Sequence, residues 1–169
     1  EIPLSDWSSD VCSSDLDITY IPMAKGFMYM VAFIDVYSRK IVGWSISNSM
    51  TKKWCIDVLK EAIAQNGVPE IINSDQGAQF TSPAWVHLLE QQNIRISMDG
   101  KGRATDNTWI ERFWKSLKYN YVYLNPCDTG LELFEGVQTY IAYYNQKKHQ
   151  GINRKPEEAF KESMKENAA

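Results

Sequence analysis

Residues 17–47 read DITYIPMAKGFMYMVAFIDVYSRKIVGWSIS, and this stretch decides the architecture. Asp17-Ile18-Thr19-Tyr20-Ile21 has strand composition, and Met23-Ala24-Lys25-Gly26 is a turn. Phe27 to Ile34 is continuously apolar, the pattern of a strand buried on both faces. Asp35 to Arg39 forms a second turn, and residues 40–47 partly alternate as a third strand. Three strands on short links predict an antiparallel meander. A turn centred between Ala24 and Lys25 pairs residues whose numbers sum to 49, so Asp17 should face Ala32.

Downstream the periodicity changes. Thr51 is placed to cap a helix to about Gln65, whose stripe is Trp54, Cys55, Val58, Leu59, Ala62 and Ile63. Asn66-Gly67-Val68-Pro69 stops it. Glu70 to Ser74 is a short strand ending at Asp75, Ser82-Pro83 opens a helix to about Gln92, and Ile94 to Met98 is a fifth strand. A polar loop from Asp99 to Thr105 leads into a helix carrying Trp109, Ile110, Phe113, Trp114, Leu117 and Tyr121. Two more helices are expected near Leu131–Tyr144 and Pro156–Lys165. The predicted fold is α/β: a five-stranded mixed sheet, three strands antiparallel and two reached by parallel crossovers, flanked by helices.

The chain has 169 residues, 44% hydrophobic and 23% charged, which fits one globular domain and excludes a wholly disordered chain. No run approaches the roughly 20 apolar residues of a membrane helix, and the N-terminus lacks the pattern of a signal peptide. Cys12, Cys55 and Cys127 are far apart and form no CxxC pair, so neither a disulfide framework nor a cysteine zinc site is indicated. A reducing, cytoplasmic compartment fits. Net charge is −3, yet residues 101–155 hold nine Lys/Arg against five Asp/Glu, 9 − 5 = +4. That third of the chain can offer a basic face to phosphates.

Three carboxylates sit at element ends: Asp17 on the first strand, Asp75 closing the fourth, and Glu111 on the helix after the glycine loop. The last two are 111 − 75 = 36 apart, with 35 residues between them. DITYIP, FIDVYSRKIVGW, SDQGAQFTS, DNTWIERFWKSLK and YYNQKKHQGI, in this order, resemble the retroviral-integrase-like catalytic core of bacterial insertion-sequence transposases, within the Asp-Asp-Glu transposase and integrase superfamily. The resemblance covers about Asp17 to Phe160. It implies a ribonuclease H-like fold and two Mg²⁺ ions, for which Mn²⁺ can substitute, held by Asp17, Asp75 and Glu111. It also implies DNA partners (element ends and target), a homo-multimer when full length, and a bacterial cytoplasmic, nucleoid-associated setting.

Lys118 falls where the family carries a basic residue that contacts DNA. Helical spacing puts 111, 115 and 118 on one face, so Lys115 joins Lys118 there, with Arg112 as a further DNA-contact candidate. Carboxylates suit Mg²⁺, a hard cation, and two such ions clamp an in-line displacement at phosphorus. The expected activity is metal-dependent strand cleavage and, from the family, strand transfer. Alternatives are a ribonuclease H-type nuclease, a non-enzymatic DNA-binding module, or an inactive transposase remnant.

The remaining candidates carry two readings each. Lys101 and Arg103 suit a DNA contact or a mobile charged loop. His149 suits a DNA contact or packing. Asp106 and Asn107 cap the next helix rather than bind metal. Asn73 stands where many relatives have His. Asp35, the rival carboxylate, reads as a turn residue before Arg39 or as a direct metal ligand, His87 as partly buried, and Trp109 as core or within reach of a base.

Residues 6–16, DWSSDVCSSDL, match the in-frame translation of a short-read sequencing adapter, codon for codon from Asp6 to Asp15. Without Asp6, Asp10 and Asp15 the balance is 18 basic against 21 − 3 = 18 acidic. The expected organisation is therefore a non-native or disordered leader at 1–16 and an integrase-like core at 17–124. A C-terminal helical extension of the same domain follows at 125–169. On this reading the native chain continues upstream.

Overall fold

A computed structural model describes residues 12–98 and 107–168. β1 (Ser13–Pro22), β2 (Phe27–Asp35) and β3 (Ile41–Ser47) form the meander; α1 (Lys52–Asn66), β4 (Ile71–Ser74), α2 (Pro83–Gln91) and β5 (Arg95–Met98) follow. Then come α3 (Thr108–Asn120), a 3₁₀ turn at Val122–Leu124, α4 (Gly130–Gln146) and α5 (Pro156–Ala168). The strand order is β3-β2-β1-β4-β5. β1 pairs antiparallel with β2, with Asp17 opposite Ala32 as the turn position predicted. β4 and β5 join as parallel strands. The expected mixed sheet is present.

Side-chain alternation sends the two faces of the sheet into two cores. Ile21, Met30, Ala32 and Ile34 pack under Ile110, Phe113, Trp114 and Leu117 of α3 and Leu133, Val137 and Ile141 of α4. Leu16, Val31, Phe33 and Ile72 pack under Cys55, Val58 and Leu59 of α1 and Trp85, Leu88 and Leu89 of α2. The helices start where their caps put them. Thr51 Oγ1 accepts from Trp54 N–H, Ser82 Oγ accepts from Trp85 N–H ahead of Pro83, and Thr129 Oγ1 accepts from Glu132 N–H.

Three expectations change. Ser13–Leu16, set apart above as leader, open β1: Ser13, Ser14 and Asp15 pair with Ile71, Ile72 and Asn73, and Leu16 is fully buried. A parallel ladder uses backbone groups, so Ser and Asp side chains do not prevent it, and Leu16 continues the Ile18 side of the strand. Second, β2 is not buried along its whole length. Met30 to Asp35 are buried, but Phe27 is 52% exposed at the hairpin end, where it packs on Tyr20 and Tyr29. Third, His87 is exposed on α2, on the side opposite Trp85, Leu88 and Leu89.

Candidate active site

The ladder between β1 and β4 ends at Asp15 opposite Asn73. Asp17 lies two positions further along β1, and Asp75 directly follows the end of β4. Alternation puts Asp17 on the face covered by α3, since its neighbours Leu16 and Ile18 pack on the other face. Crevices of open α/β sheets form at such strand ends.

α3 crosses this face on its apolar stripe and delivers three residues at one-turn intervals. Trp114 Nε1 donates to Asp17 Oδ2 at 3.0 Å. Glu111, exposed, lies one turn before it. Lys118 lies one turn after it and donates from Nζ to Thr19 Oγ1 at 2.7 Å. Burial pushes the Asp17 carboxyl up to about 6; Trp114 and the Ile18 backbone N–H oppose this, while the negative charges of Asp75 and Glu111 add to it. The three predicted acids therefore share one electrostatic neighbourhood, although they come from three separate elements. Burial also draws the Lys118 ammonium down, against the attraction of Asp17.

Asp75 is exposed, and its Oδ1 accepts the Gly77 N–H at 2.9 Å in a tight local turn. A Cβ at residue 77 would sit 2.9 Å from that same oxygen, so a side chain there would require the Asp75 carboxylate to shift. As the side chains stand, no three His, Cys, Asp or Glu among the described residues form a group able to hold a metal ion. Asp17 is turned to Trp114 and Asp75 to Gly77. The donor chemistry nonetheless fits a hard divalent cation: oxygen donors only, and a partly buried carboxyl whose ionisation is opposed by two like charges that a cation would offset.

Beside this edge, the Arg39 guanidinium lies over the Trp109 ring at 3.4 Å from its centroid, with Arg112 at 5.0 Å. Both arginines help to draw the His149 imidazole below its ordinary value, burial being the larger cause. His149 closes a small turn: its N–H donates to Arg154 O, its Nδ1 accepts from Gly151 N–H, and its ring meets Tyr144 edge-on.

Lys115 is exposed one turn from Glu111, as is Arg112 beside it. Asn73 is buried in β4, paired in register with Asp15 and Ser97. Asp35 is 2% exposed and is a turn residue as read, its Oδ2 accepting from Ser38 N–H and Oγ–H. Asn107 departs from its expected role. It occupies the N-cap position of α3 but makes no side-chain cap; its Nδ2 donates instead to Leu16 O at 3.2 Å. The Nδ2 bond to the strand turns the side chain toward β1, and its Oδ1 caps no helix N–H. Lys101, Arg103 and Asp106 lie outside the described residues. Sequence reading took Trp114 as core alone; its indole N–H on Asp17 had no local signal.

This arrangement defines a class by its fold. The chain superimposes on the HTLV-2 integrase catalytic core domain, solved in complex with magnesium, with a TM-score of 0.71 at 19% identity, covering 88% of this chain and 95% of that one. For the BIV integrase catalytic core the TM-score is 0.75 at 17% identity, covering 94% and 99%. The fold is the ribonuclease H-like fold of retroviral integrase cores.

The chain belongs to the integrase core domain family, whose model matches residues 14–104; a second integrase core domain model matches residues 92–156. It is 38% identical over 150 residues to the transposase of insertion sequence element IS904 from Lactococcus lactis. It is 36% identical over 109 residues to transposase InsF of IS3A from Escherichia coli. These alignments cover 85% and 63% of this chain but only 58% and 38% of the two relatives, so the chain spans about half the length of the transposases it matches. Among the described residues no helix is long and apolar enough to cross a membrane.

Proposed function

We propose that this chain is the catalytic domain of an insertion-sequence transposase, and that Asp17, Asp75 and Glu111 are its metal-binding, catalytic acids. What supports the reading is that the negative charges of Asp75 and Glu111 both raise the partly buried Asp17 carboxyl, together with the family match. Mg²⁺ or Mn²⁺ held there by the three carboxylates would supply Lewis acidity to the attacking and departing oxygens of a phosphodiester. The chain's own groups do the rest. Trp114 holds Asp17 in one orientation, and the Gly77 N–H holds Asp75. Lys115, Lys118 and Arg112 on α3 meet the DNA backbone beside the acids. Lys101, Arg103 and His149 are further DNA-contact candidates.

In the first reaction the oxygen of water attacks phosphorus at the element end, the bond from phosphorus to the 3′ oxygen breaks, and a free 3′-OH is left. In the second, that 3′-OH attacks a target phosphodiester and displaces the target's own 3′ oxygen. The partners are element ends and target DNA, the acting form is a homo-multimer of the full-length protein, and the setting is the bacterial nucleoid. Resemblance to insertion-sequence transposases favours DNA over the RNA of a hybrid. The test is nicking of DNA carrying the element ends with and without Mg²⁺. Nicking is expected to require the ion and to vanish in Asp75→Ala; undiminished nicking by that variant overturns the site.

The adapter reading of residues 6–16 belongs to the same proposal. Resequencing the source locus is expected to show a native coding sequence interrupted there. An unbroken native frame through those codons refutes it.

A further inference from the structure

We propose that Arg39 is a positioning residue: stacked on Trp109, it fixes the first turn of α3 and so decides where Glu111 stands relative to Asp17 and Asp75. The inference rests on the acid site proposed above and adds a residue that no part of that reading uses.

The first turn of α3 is poorly held by its own sequence. The N-cap residue, Asn107, has given its amide to β1 and makes no cap, and its Oδ1 is buried without a partner. Ile110 anchors the inner side of the turn in the core. Trp109, half-buried, is the other large side chain of that turn, and it lies under the Arg39 guanidinium at 3.4 Å from its centroid, the separation of a stacked plane. Glu111 follows two residues later. On its far side α3 is held by the Trp114–Asp17 hydrogen bond. Glu111 thus sits between two tethers, one from β1 and one from the β2–β3 turn.

Arg39 is itself rigidly presented. Its backbone has φ of +62°, a left-handed conformation that a non-glycine side chain adopts only when its surroundings impose it. The Asp35 turn imposes it: Arg39 N–H donates to Asp35 O at 2.8 Å, while Asp35 Oδ2 accepts from Ser38 N–H at 2.8 Å and Ser38 Oγ at 2.5 Å. Burial draws the guanidinium below its ordinary value; the negative charges of Asp35 and Asp15 oppose this, and Arg112 adds to it. Its Nε is buried and has no hydrogen-bond partner, and its central carbon lies over the Trp109 ring.

The experiment measures melting of the chain against Mn²⁺ concentration, alongside Mn²⁺-dependent nicking, for Arg39→Lys, Arg39→Ala, Trp109→Leu and the double variant Arg39→Ala with Trp109→Leu. Each single variant is expected to need roughly 10-fold more Mn²⁺ to reach half of the stabilisation, as supporting groups around metal sites commonly do. The double variant is expected to need no more than Trp109→Leu alone, because both changes remove one contact. Lysine keeps the charge without the plane, so Arg39→Lys is expected to resemble Arg39→Ala; it also serves if the alanine variant fails to fold. Full Mn²⁺ response in Arg39→Lys, or additive losses in the double variant, overturns the stacking role. Glu111→Gln separates the two proposals. If it keeps the full Mn²⁺ response, the acid site itself is wrong; if it loses the response while Arg39→Lys retains it, only the positioning role is wrong.

Discussion

Asp17 shows what burying a single carboxyl costs the fold. An ordinary aspartate titrates near 3.8, and burial holds this one near 6. Below the ordinary value both folded and unfolded chains carry it neutral, and its full contribution to stability is present. As pH rises through about 6 the folded carboxyl must ionise against burial, Asp75 and Glu111, and that stability is lost. Asp17→Asn keeps an acceptor for the Trp114 indole and removes the ionisation. In chelator, urea denaturation should therefore find the variant more stable than the parent at pH 7.5, by roughly 1–3 kcal/mol, and little different at pH 3.5. A gain that does not grow with pH would contradict the cause given for the shift.

Among the elements, β1 is the one whose extent matters most. Leu16 is fully buried between Val31, Phe33 and Ile72 and the α1–α2 layer, although it belongs to the stretch that reads as a translated adapter. Leu16→Ala should cost about 2–5 kcal/mol in equilibrium unfolding, as core truncations do; a leader outside the fold would show no change. β3 meets α1 with no space to spare. A Cβ at Gly43 would come 2.7 Å from Ala62 Cβ and 3.3 Å from Phe33, so Gly43→Ala must push the helix from the sheet. Overpacking of this kind costs about 1–3 kcal/mol, readable as a lowered melting temperature, and Gly43→Ala with Ala62→Gly should recover most of it.

At the scale of the whole molecule, charge placement outweighs charge balance. The net is −3, yet α3 carries Arg112, Lys115 and Lys118 beside the three acids. Measured against salt, the slope of DNA affinity should fall by about 1 for Lys115→Ala, and by less for Lys118→Ala, whose ammonium is engaged with Thr19. The meander, its register, the helix caps at Thr51 and Ser82 and the common face of residues 111, 115 and 118 were all legible in the chain. Each depends on strand or helix period and on groups a few residues apart, which backbone geometry fixes locally. The assignment of Asp17, Asp75 and Glu111 as the acids came from the family resemblance, not from any local period. Tertiary packing decided the rest: that β1 reaches back to Ser13 beside β4, that Asn107 serves Leu16 instead of its own helix, that Trp114 turns its N–H onto Asp17, and that Arg39 lies across Trp109. Asn107–Leu16 and Trp114–Asp17 join residues 91 and 97 positions apart. No local period encodes such contacts, because they exist only once a helix has been laid across a finished sheet.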